Sequence, residues 1–395
     1  MTTHIDTFAN NGLSEPFYGI TRPSAVYYNG KTYVVWHGAD YDPYITYYNH
    51  TTKTWAQVKR VGVSPLVNDG HGAPSLQIDN NGYIYVFYGS HMSNQKWAKS
   101  TSPESISNFT VQPDIVGTYT YPKPIMVGNS MYLFMRVHLY EIYRKWNGTS
   151  WEPQNNIIAA DSTDFVYTGF MELNNNKIHA TWCYSYASTN YSRRNVFYAY
   201  LNLVDNNMYS INGINLGTTV SRTEAETYCM ARNTGSNRTV TAAMHLDSNK
   251  YPWIIYIEGN NPTYTFYHTR WNGSSWTTPS YITTTDYLYN GMDFKINSVT
   301  DVTAYLTTSG LSGSGGDIEE WHWDGSKWSQ YSIILSELES KKPLGCPNIP
   351  YNAHEVKLVF SQYLDDDFSV SNLKLYAVIE DSNECPQLQL QLSMN

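Results

Sequence analysis

Charge is scarce in this sequence, and positive charge is scarcer than negative charge. Only 15% of the 395 residues are charged, and the 25 Lys and Arg are outnumbered by the 34 Asp and Glu, which gives a formal net charge of −9. A nucleic-acid surface needs clustered Lys and Arg, so the composition argues against that class of partner. An anionic ligand remains compatible, because a local pocket of Arg and His can lie within an acidic protein.

Cysteine is also rare, with four residues and no CxxC pair. The absence of that pair argues against a zinc ribbon and a thioredoxin-type motif. Cys183 falls within an apolar stretch and is expected to be a buried free thiol, since an unpaired Cys packs as a small hydrophobic side chain. Cys346 and Cys385 flank the last predicted repeat and could form a disulfide.

Long apolar runs and common catalytic motifs are missing as well. There is no run of about 18 apolar residues, so no membrane-spanning helix is expected. The N-terminal residues show neither a basic start nor an apolar segment, so no signal peptide is visible. The chain has no GxSxG elbow, HExxH motif, P-loop or dinucleotide-binding fingerprint, which argues against the enzyme classes that these motifs mark.

Aromatic and β-branched residues dominate what is present. Aromatics make up 15% of the chain, and Tyr alone contributes 36 residues. Tyr, Thr, Val, Ile and Trp suit half-buried strands, whereas stretches rich in helix-favouring residues are nearly absent. Asn and Gly interrupt the apolar runs, as turn residues do. The composition therefore predicts an all-β fold.

A repeated hairpin indicates the architecture. The pattern Trp-Asn/Asp-Gly-x-x-Trp occurs at residues 146–151, 271–276 and 323–328, with a degenerate copy at 48–55. Asn-Gly or Asp-Gly between strand-like runs is a strong hairpin signal. Upstream of these markers, pairs of alternating strands are joined by polar turns, and such units repeat along the whole chain.

The repeats predict one domain, residues 1–395, folded as a seven-bladed β-propeller of four-stranded antiparallel blades. The predicted blades start near residues 24, 73, 122, 166, 228, 291 and 347. No blade can bury both of its faces alone, so the ring is expected to close as one cooperative unit. A six- or eight-bladed ring and a β-helix are the alternatives, and the long, irregular repeat spacing disfavours the β-helix.

Propeller geometry indicates where functional side chains should meet. The residue before the first strand of a blade and the residue after the second strand lie on the same face, around the mouth of the central channel. The rule selects His37, His71, His91, Tyr121, Arg136, Tyr167, Tyr184 and His245, with Arg193 and Arg194 in a following loop. These residues supply proton acceptors, proton donors and a fixed cation, a combination that suits an anionic sugar.

Structural roles compete with functional ones at several positions. Arg136 ends the apolar run MYLFM, where an unpaired charge is costly, and His71 lies in a Gly-flanked turn that allows close approach of a ligand. His179 lies within a strand and is expected to be a core histidine, and His322 is expected to pack in an outer hairpin. The few rim carboxylates favour His/Tyr/Arg chemistry over two-carboxylate hydrolysis. They are Asp40, Asp69, Asp161, Asp164 and Glu224.

Two motifs resemble the BNR-repeat propeller family that includes ulvan lyases and related polysaccharide lyases. One is Asp69-Gly-His71-Gly-Ala-Pro, followed by a strand hairpin and a second His at position 91. The other is Tyr121-Pro122, followed by Arg136 at the end of the next strand. The resemblance covers residues 20–200 best. Gly72 and Lys123 depart from the Asn and Gln that are usual in the family, and these neighbours shape the substrate subsites.

The resemblance implies a polysaccharide lyase that cleaves a uronic-acid-containing, ulvan-like polysaccharide by β-elimination. Arg136 would neutralise the carboxylate, His71 or Tyr121 would remove the C5 proton, Tyr121 would protonate the leaving oxygen, and His91 would orient the pair or bind the sugar. The further substrate-binding candidates are Tyr167, Tyr184, Arg194, Lys123 and His37. The alternatives are a glycoside hydrolase on the same fold and a non-catalytic carbohydrate-binding propeller.

The same reading gives expectations about partners and surroundings. The partner is an anionic polysaccharide, with no nucleic acid and no membrane, and the protein is expected to be a monomer. The chemistry is expected to require no cofactor. Scattered Asp, Asn and His residues allow a structural Ca²⁺ or Zn²⁺ site, although no ligand spacing demands one. The expected location is secreted or extracellular, with a cytoplasmic location as the alternative.

Overall fold

The computed structural model describes residues 2–161, 164–186, 192–309, 315–364 and 371–381, and this part of the chain is built mainly from β-strands. The all-β prediction is confirmed. The helical segments are a 3-10 turn at Gly70–Gly72, a turn at Arg222–Glu224 that continues into Ala225–Cys229, and a turn at Glu337–Ser340. Among the described residues, no helix has the length and apolar character needed to cross a membrane.

Two antiparallel sheets come from the first part of the chain, together with the separate strand β1. The strands are β1 (Thr2–Leu13), β2 (Ala25–Tyr28), β3 (Lys31–His37), β4 (Pro43–Asn49), β5 (Thr54–Trp55), β6 (Lys59–Arg60), β7 (Ser75–Ile78), β8 (Ile84–Tyr88), β9 (His91–Ser100), β10 (Phe109–Val111), β11 (Ile115–Val127), β12 (Ser130–Val137), β13 (Tyr140–Trp146) and β14 (Asn155–Ala159). Strands β2–β6 form a five-stranded sheet. Strands β7–β14 form an eight-stranded sheet in the order β14-β13-β12-β11-β9-β8-β7, with β10 on β9.

Three further antiparallel sheets follow. Their strands are β15 (Val166–Asn174), β16 (Lys177–Tyr186), β17 (Ser192–Asn202), β18 (Asn207–Tyr209), β19 (Met230–Arg232), β20 (Arg238–Thr239), β21 (Ala243–Leu246), β22 (Pro252–Asn260), β23 (Thr263–Arg270), β24 (Ser280–Thr285), β25 (Met292–Ser298), β26 (Asp301–Ser309), β27 (Gly316–Trp323), β28 (Trp328–Leu335), β29 (Leu344–Asn348), β30 (Val356–Gln362) and β31 (Ser371–Asp381). Strands β15–β19 and β20–β24 form five-stranded sheets, and β25–β31 form an eight-stranded sheet with β1.

The apolar core lies between the faces of successive sheets. In β3, Tyr33 and Val35 pack with residues of β7 and β8, whereas Val34 and Trp36 pack with residues of β30 and β31. Alternate side chains of a strand point to opposite faces, so a single strand can contribute to two cores. This explains why the strands are apolar on both faces and why no sheet could be stable alone.

The first strands of the sheets contact one another in chain order. Strand β2 contacts β7, β7 contacts β11, β11 contacts β15, β15 contacts β21, β21 contacts β25, and β25 contacts β29. Val26 of β2 forms a parallel bridge with Tyr351, which follows β29. The order therefore closes on itself, and the loops that precede these strands are brought towards a common centre.

The N-terminal strand completes the sheet of the C-terminal strand. Strand β1 pairs antiparallel with β31, from Thr2 opposite Asp381 to Leu13 opposite Ser371. Phe8 of β1 stacks on Trp55 at a ring-centroid distance of 4.6 Å, so this strand also contacts the sheet of β2–β6. The pairing joins the two ends of the described chain.

The predicted Trp hairpins are confirmed. Trp146 bridges Trp151, Trp271 bridges Trp276, and Trp323 pairs with Trp328 across the turn of β27 and β28. In the first of these turns, the Asn147 side chain accepts hydrogen bonds from the next backbone N–H groups, and Gly148 has φ +100°. Glycine suits this position because L side chains rarely adopt that conformation.

The region around residue 228 differs from the predicted start of a repeat. Ser221 and Glu224 form a reciprocal capping box that begins a helical turn, and β19 then pairs with β17 of the preceding sheet. The next sheet begins at β20. The capping box explains the difference, since its two mutual hydrogen bonds favour a helix start.

The cysteine predictions are resolved in part. Cys183 and Cys229 are buried free thiols, as expected for Cys183, and Cys346 is buried with no disulfide partner among the described residues. Cys385 lies outside the described residues, so the proposed pairing with Cys346 stays a prediction.

Candidate active site

A single carboxylate holds two histidines at one end of the ring of first strands. Asp69 precedes the Gly70–Gly72 turn, and its Oδ1 accepts a hydrogen bond from the His71 backbone N–H. The Nδ1 atoms of His71 and His91 lie 2.6 Å from Asp69 Oδ1 and Oδ2, respectively. The two imidazoles are stacked, with centroids 3.8 Å apart and planes inclined by 6°.

This arrangement fixes the protonation of the three groups. Burial raises the pKa of Asp69, but the hydrogen bonds from His71 and His91 outweigh it and hold that pKa well below its ordinary range. Burial lowers the pKa of His71, against the raising effect of Asp69. An ionised carboxylate accepts from both Nδ1–H groups, so the Nε2 atom of a neutral His71 keeps its lone pair.

Tyr121 lies beside this pair, at an irregularity of β11. The register against β12 shifts between Thr120 and Lys123, and Tyr121 has φ +61°. Its ring is stacked on Tyr18 with centroids 5.6 Å apart, and Tyr18 Oη lies 3.4 Å from His71 Nε2. Burial raises the pKa of Tyr121, partly offset by Arg136 and Arg193, so the phenol is protonated at neutral pH.

Arg136 lies one layer deeper, beneath two tyrosine rings. Its guanidinium carbon is 4.7 Å from the ring centroid of Tyr121 and 4.8 Å from that of Tyr167. The side chain is buried, and its Nη1 has no hydrogen-bond partner among the described residues. A buried N–H of a guanidinium without a partner is costly, which points to a group that accepts an anion.

A cleft of about 330 Å³ opens above these residues. Its lining includes Tyr18, His71, Arg193 and Tyr289, whereas Tyr121 and Arg136 lie behind Tyr18 and His71. The guanidinium of Arg193 lies 3.7 Å from the ring centroid of Tyr167. Tyr167 is thereby placed between the two arginines, and Arg193 is a cation that faces the cleft.

The structure brings five of the predicted residues together at one end of the ring. They are His71, His91, Tyr121, Arg136 and Tyr167. Arg194 is the neighbour of Arg193 on β17, but its side chain lies towards Tyr186 and does not line the cleft.

Three predicted substrate-binding residues lie elsewhere. His37 is fully buried and bonded to the Tyr41 carbonyl at 2.7 Å, and burial lowers its pKa to about 4. Tyr184 is fully buried and donates to the Ala159 carbonyl. Lys123 is buried and pairs with Glu141 at 3.0 Å. The predicted role does not fit these positions, because none of the three side chains reaches the cleft.

Lys123 and the predicted rim residue His245 line a second cavity, of about 390 Å³, beneath the first. Arg22 lines both cavities and pairs with Asp293 at 2.8 Å. His245 lies between Glu172, at 3.2 Å, and Asp293, at 3.0 Å. These groups satisfy each other's charges, so His245 belongs to the channel interior.

Four of the five carboxylates predicted on the rim have polar partners, and one of them, Asp40, accepts a hydrogen bond from the Tyr44 hydroxyl at 2.8 Å. Asp69 serves the two histidines, Asp164 pairs with Arg222 at 3.0 Å, and Glu224 caps a helical turn. Glu15 is the one acidic residue among the described residues that line the cleft. Two-carboxylate hydrolysis needs a facing pair, which this set does not supply. His179 bonds to Tyr198 and His322 stacks on Tyr331, as expected for packing residues.

Two clusters of described residues have donor atoms suited to a metal ion. One is Asp69, His71 and His91 in the cleft, and the other is His50, His354 and Glu355 at a separate place. In the cleft, both Nδ1 atoms are already directed at the carboxylate oxygens.

Comparisons with known proteins find similarity over most of the chain. Residues 31–282 match the family described as "BNR repeat-containing family member". An ulvan lyase of Alteromonas sp. (strain LOR) is 26% identical over 440 residues, covering 96% of this chain and 87% of that protein. An "Ulvan Lyase-PL25" of Pseudoalteromonas sp. (strain PLSV) is 30% identical over 322 residues, covering 68% of this chain and 65% of that protein.

A solved structure has the same fold. It is a PL25 ulvan lyase bound to -[GlcA(1-4)Rha3S]-, with a TM-score of 0.84 and 22% identity. The match covers 95% of this chain and 96% of that one.

Proposed function

The chain belongs to the BNR repeat-containing family, and from this we propose that it is a polysaccharide lyase that cleaves ulvan by β-elimination at a uronic acid. The observation that carries the proposal is the cluster of His71, Tyr18 and Arg193 at the cleft, backed by Asp69 and Tyr121. It supplies a proton acceptor, a proton donor and a cation, which are the three groups that β-elimination requires.

His71 acts as the base. Asp69 holds its Nδ1–H, so Nε2 is the atom available to accept the C5 proton. Burial keeps the pKa of His71 low, so the ring is neutral at the start of the reaction. His91 shares the carboxylate and stacks on His71, which fixes the orientation of the base.

The acid is the pair of phenols Tyr18 and Tyr121. Tyr18 faces the cleft and protonates the departing O4 as the C4–O4 bond breaks. Tyr121 stacks on Tyr18 and accepts the hydrogen bond of its hydroxyl group, which orients the acid, and the positive charge of Arg193 stabilises the phenolate that Tyr18 leaves. Tyr18 Oη lies 3.4 Å from His71 Nε2, so the proton taken from C5 returns to Tyr18 and both groups are reset.

The cations stabilise the charge that develops on the uronate. Removal of the C5 proton builds negative charge on the carboxylate, and fixed donors in a poorly solvated site lower that barrier most effectively. Arg193 lines the cleft, and Arg136 lies behind it with a free Nη1. The uronate carboxylate contacts Arg193. The positive charge of Arg136, behind Tyr18 and His71, stabilises the negative charge on the carboxylate and on the phenols.

The proposal extends to the architecture, the partner and the location of the protein. We infer a single propeller domain in which each eight-stranded sheet consists of two adjoining blades, so that the five sheets give seven blades. The partner is an anionic polysaccharide, the chemistry needs no cofactor, and the protein acts as a secreted or extracellular monomer.

The test measures product formation on ulvan with His71→Ala, Tyr121→Phe and Tyr18→Phe variants. Each variant is expected to lose roughly 10²-fold or more in kcat. The reaction is monitored by the absorbance of the unsaturated product. The control is Tyr331→Phe, an exposed tyrosine far from the cleft, which should keep full activity.

Three outcomes would contradict the proposal. Full activity in both His71→Ala and Tyr121→Phe would overturn the assigned roles. New reducing ends without the unsaturated chromophore would show a glycoside hydrolase instead, and binding of ulvan without turnover would show a carbohydrate-binding protein.

A further inference from the structure

A second group of potential ligands lies away from the cleft, where the first and last sheets of the ring meet. His50 follows β4, and His354 and Glu355 precede β30. The first and last sheets are also joined by the parallel bridge between Val26 of β2 and Tyr351, three residues before His354. The group therefore spans the junction at which the ring closes.

The three side chains present one donor atom each to a common point. One donor atom from each of His50, His354 and Glu355 lies within 4.8 Å of the others, and His50 Nδ1 is 2.9 Å from Glu355 Oε2. His50 and Glu355 are buried, whereas His354 is exposed. Two fixed ligands with one adjustable ligand can close around an ion with a small movement of the exposed side chain.

The remaining polar atoms of the buried pair are engaged in ways that orient the ligand atoms. His50 Nε2 lies 2.8 Å from Thr32 Oγ1, which directs Nδ1 towards Glu355. Lys53 Nζ bonds to Glu355 Oε1 and leaves Oε2 facing the imidazole. Metal-binding histidines commonly donate their second ring N–H to an oxygen in this way, because it fixes the tautomer.

The ring of Tyr27 limits where His354 can move. It stacks on His354 with centroids 4.9 Å apart and meets His50 edge-on at 5.1 Å. His354 is thereby held over the buried pair, although its side chain is exposed.

We propose that His50, His354 and Glu355 bind one Zn²⁺ ion, with water at the fourth position. Two imidazoles and one carboxylate suit the borderline character of Zn²⁺, whereas Ca²⁺ requires six or more oxygen ligands. The site is distinct from the proposed catalytic cleft and is structural. Because its ligands come from the first and last sheets, the bound ion links the two sides of the ring closure.

The experiment uses the full chain, stripped of metal with dipicolinate and titrated with ZnCl₂ by calorimetry. One Zn²⁺ per chain is expected, with a rise of several degrees in the thermal unfolding midpoint. Co²⁺ in place of Zn²⁺ should give the visible absorption of a four-coordinate site. CaCl₂ should give neither binding heat nor a thermal shift.

The informative variant is His354→Ala, because this exposed side chain can be removed without opening the core. It should abolish zinc binding and the thermal shift. The matched control is His322→Ala, since His322 is partly exposed, lies 2.6 Å from a glutamate and stacks on a tyrosine. That control should bind Zn²⁺ like the unaltered chain.

Three results would overturn the proposal: no zinc binding by the unaltered chain, equal binding by His354→Ala, or loss of binding in His322→Ala. Lyase activity is measured in parallel. Because the cleft is separate, failure of the zinc site leaves turnover intact, and failure of the lyase proposal leaves zinc binding intact.

Discussion

Asp69 is the residue on which the geometry of the cleft depends. Each of its oxygens accepts a hydrogen bond from a different imidazole at 2.6 Å, so one carboxylate sets the tautomer and the ring plane of both histidines. An amide in this position would turn an N–H towards one of the rings. That ring would then need its Nδ1 lone pair and would carry its proton on Nε2.

We expect Asp69→Asn to lose roughly 10²–10⁴-fold in kcat, because His71 could no longer accept a proton through Nε2. The KM for ulvan should change little, since Asp69 does not face the substrate directly. Steady-state kinetics on ulvan check the split between kcat and KM. A loss confined to KM would show that Asp69 only shapes the binding surface.

The pH dependence of the activity of the unaltered chain follows from His71, whose tautomer Asp69 sets. His71 acts as a base in its neutral form, and burial lowers its pKa below the ordinary 6.5. Activity should therefore persist at neutral pH and fall only as the pH drops below about 6.5. A profile of kcat/KM against pH tests this, and an acidic limb centred above neutrality would contradict His71 as the base.

Some of these residues could be predicted from the sequence and others could not, for a physical reason. The rule based on strand ends selected His71, His91, Tyr121, Arg136 and Tyr167. It works because the position of a residue at one end of its strand decides at which end of the ring that residue lies. It does not fix the side of the strand, so it could not separate Arg193 from Arg194, which point to opposite faces. Tyr18 lies in a loop outside the repeat pattern, and no periodicity indicates it.

At the scale of elements, the backbone of β15 lies close to the backbone that leads into β21. A Cβ added to Gly169 in β15 would lie 2.5 Å from the carbonyl oxygen of Ala242, just before β21. The backbone of Ala242 cannot move aside as a flexible side chain can. The hydrophobic pattern predicted the repeat that contains β15, but it carried no information on this spacing.

We expect Gly169→Ala to destabilise the fold by about 1–3 kcal/mol, because the strands must separate to admit the methyl group. Gly19→Ala is the control, since an added Cβ there meets no atom within 4 Å. Chemical denaturation of both variants gives the comparison. Equal stability of the two would show that the sheets can shift apart freely.

At the scale of the whole molecule, a charged group in the channel joins three sheets. His245 of β21 lies between Glu172 of β15 and Asp293 of β25. Burial alone would lower the pKa of His245, but the hydrogen bonds to Asp293 and Glu172 outweigh it and raise the pKa to about 9. The imidazolium is therefore present at neutral pH and holds adjacent sheets together.

The stability of the ring should depend on this proton. Because the folded pKa is raised, the contribution is complete below the unfolded pKa of about 6.5 and is lost as the pH rises through about 9. The loss is up to about 3 kcal/mol. Thermal unfolding across that range should show a decline that His245→Gln lacks, and parallel profiles for the two proteins would contradict the assignment.

The pairing of β1 with β31 also sets an order in time. During synthesis, Thr2–Leu13 leaves the ribosome long before its partner Ser371–Asp381 exists. Strand β1 must therefore stay unpaired until β31 has emerged. Until the two segments meet, the growing chain carries an open edge that a neighbouring nascent chain could occupy.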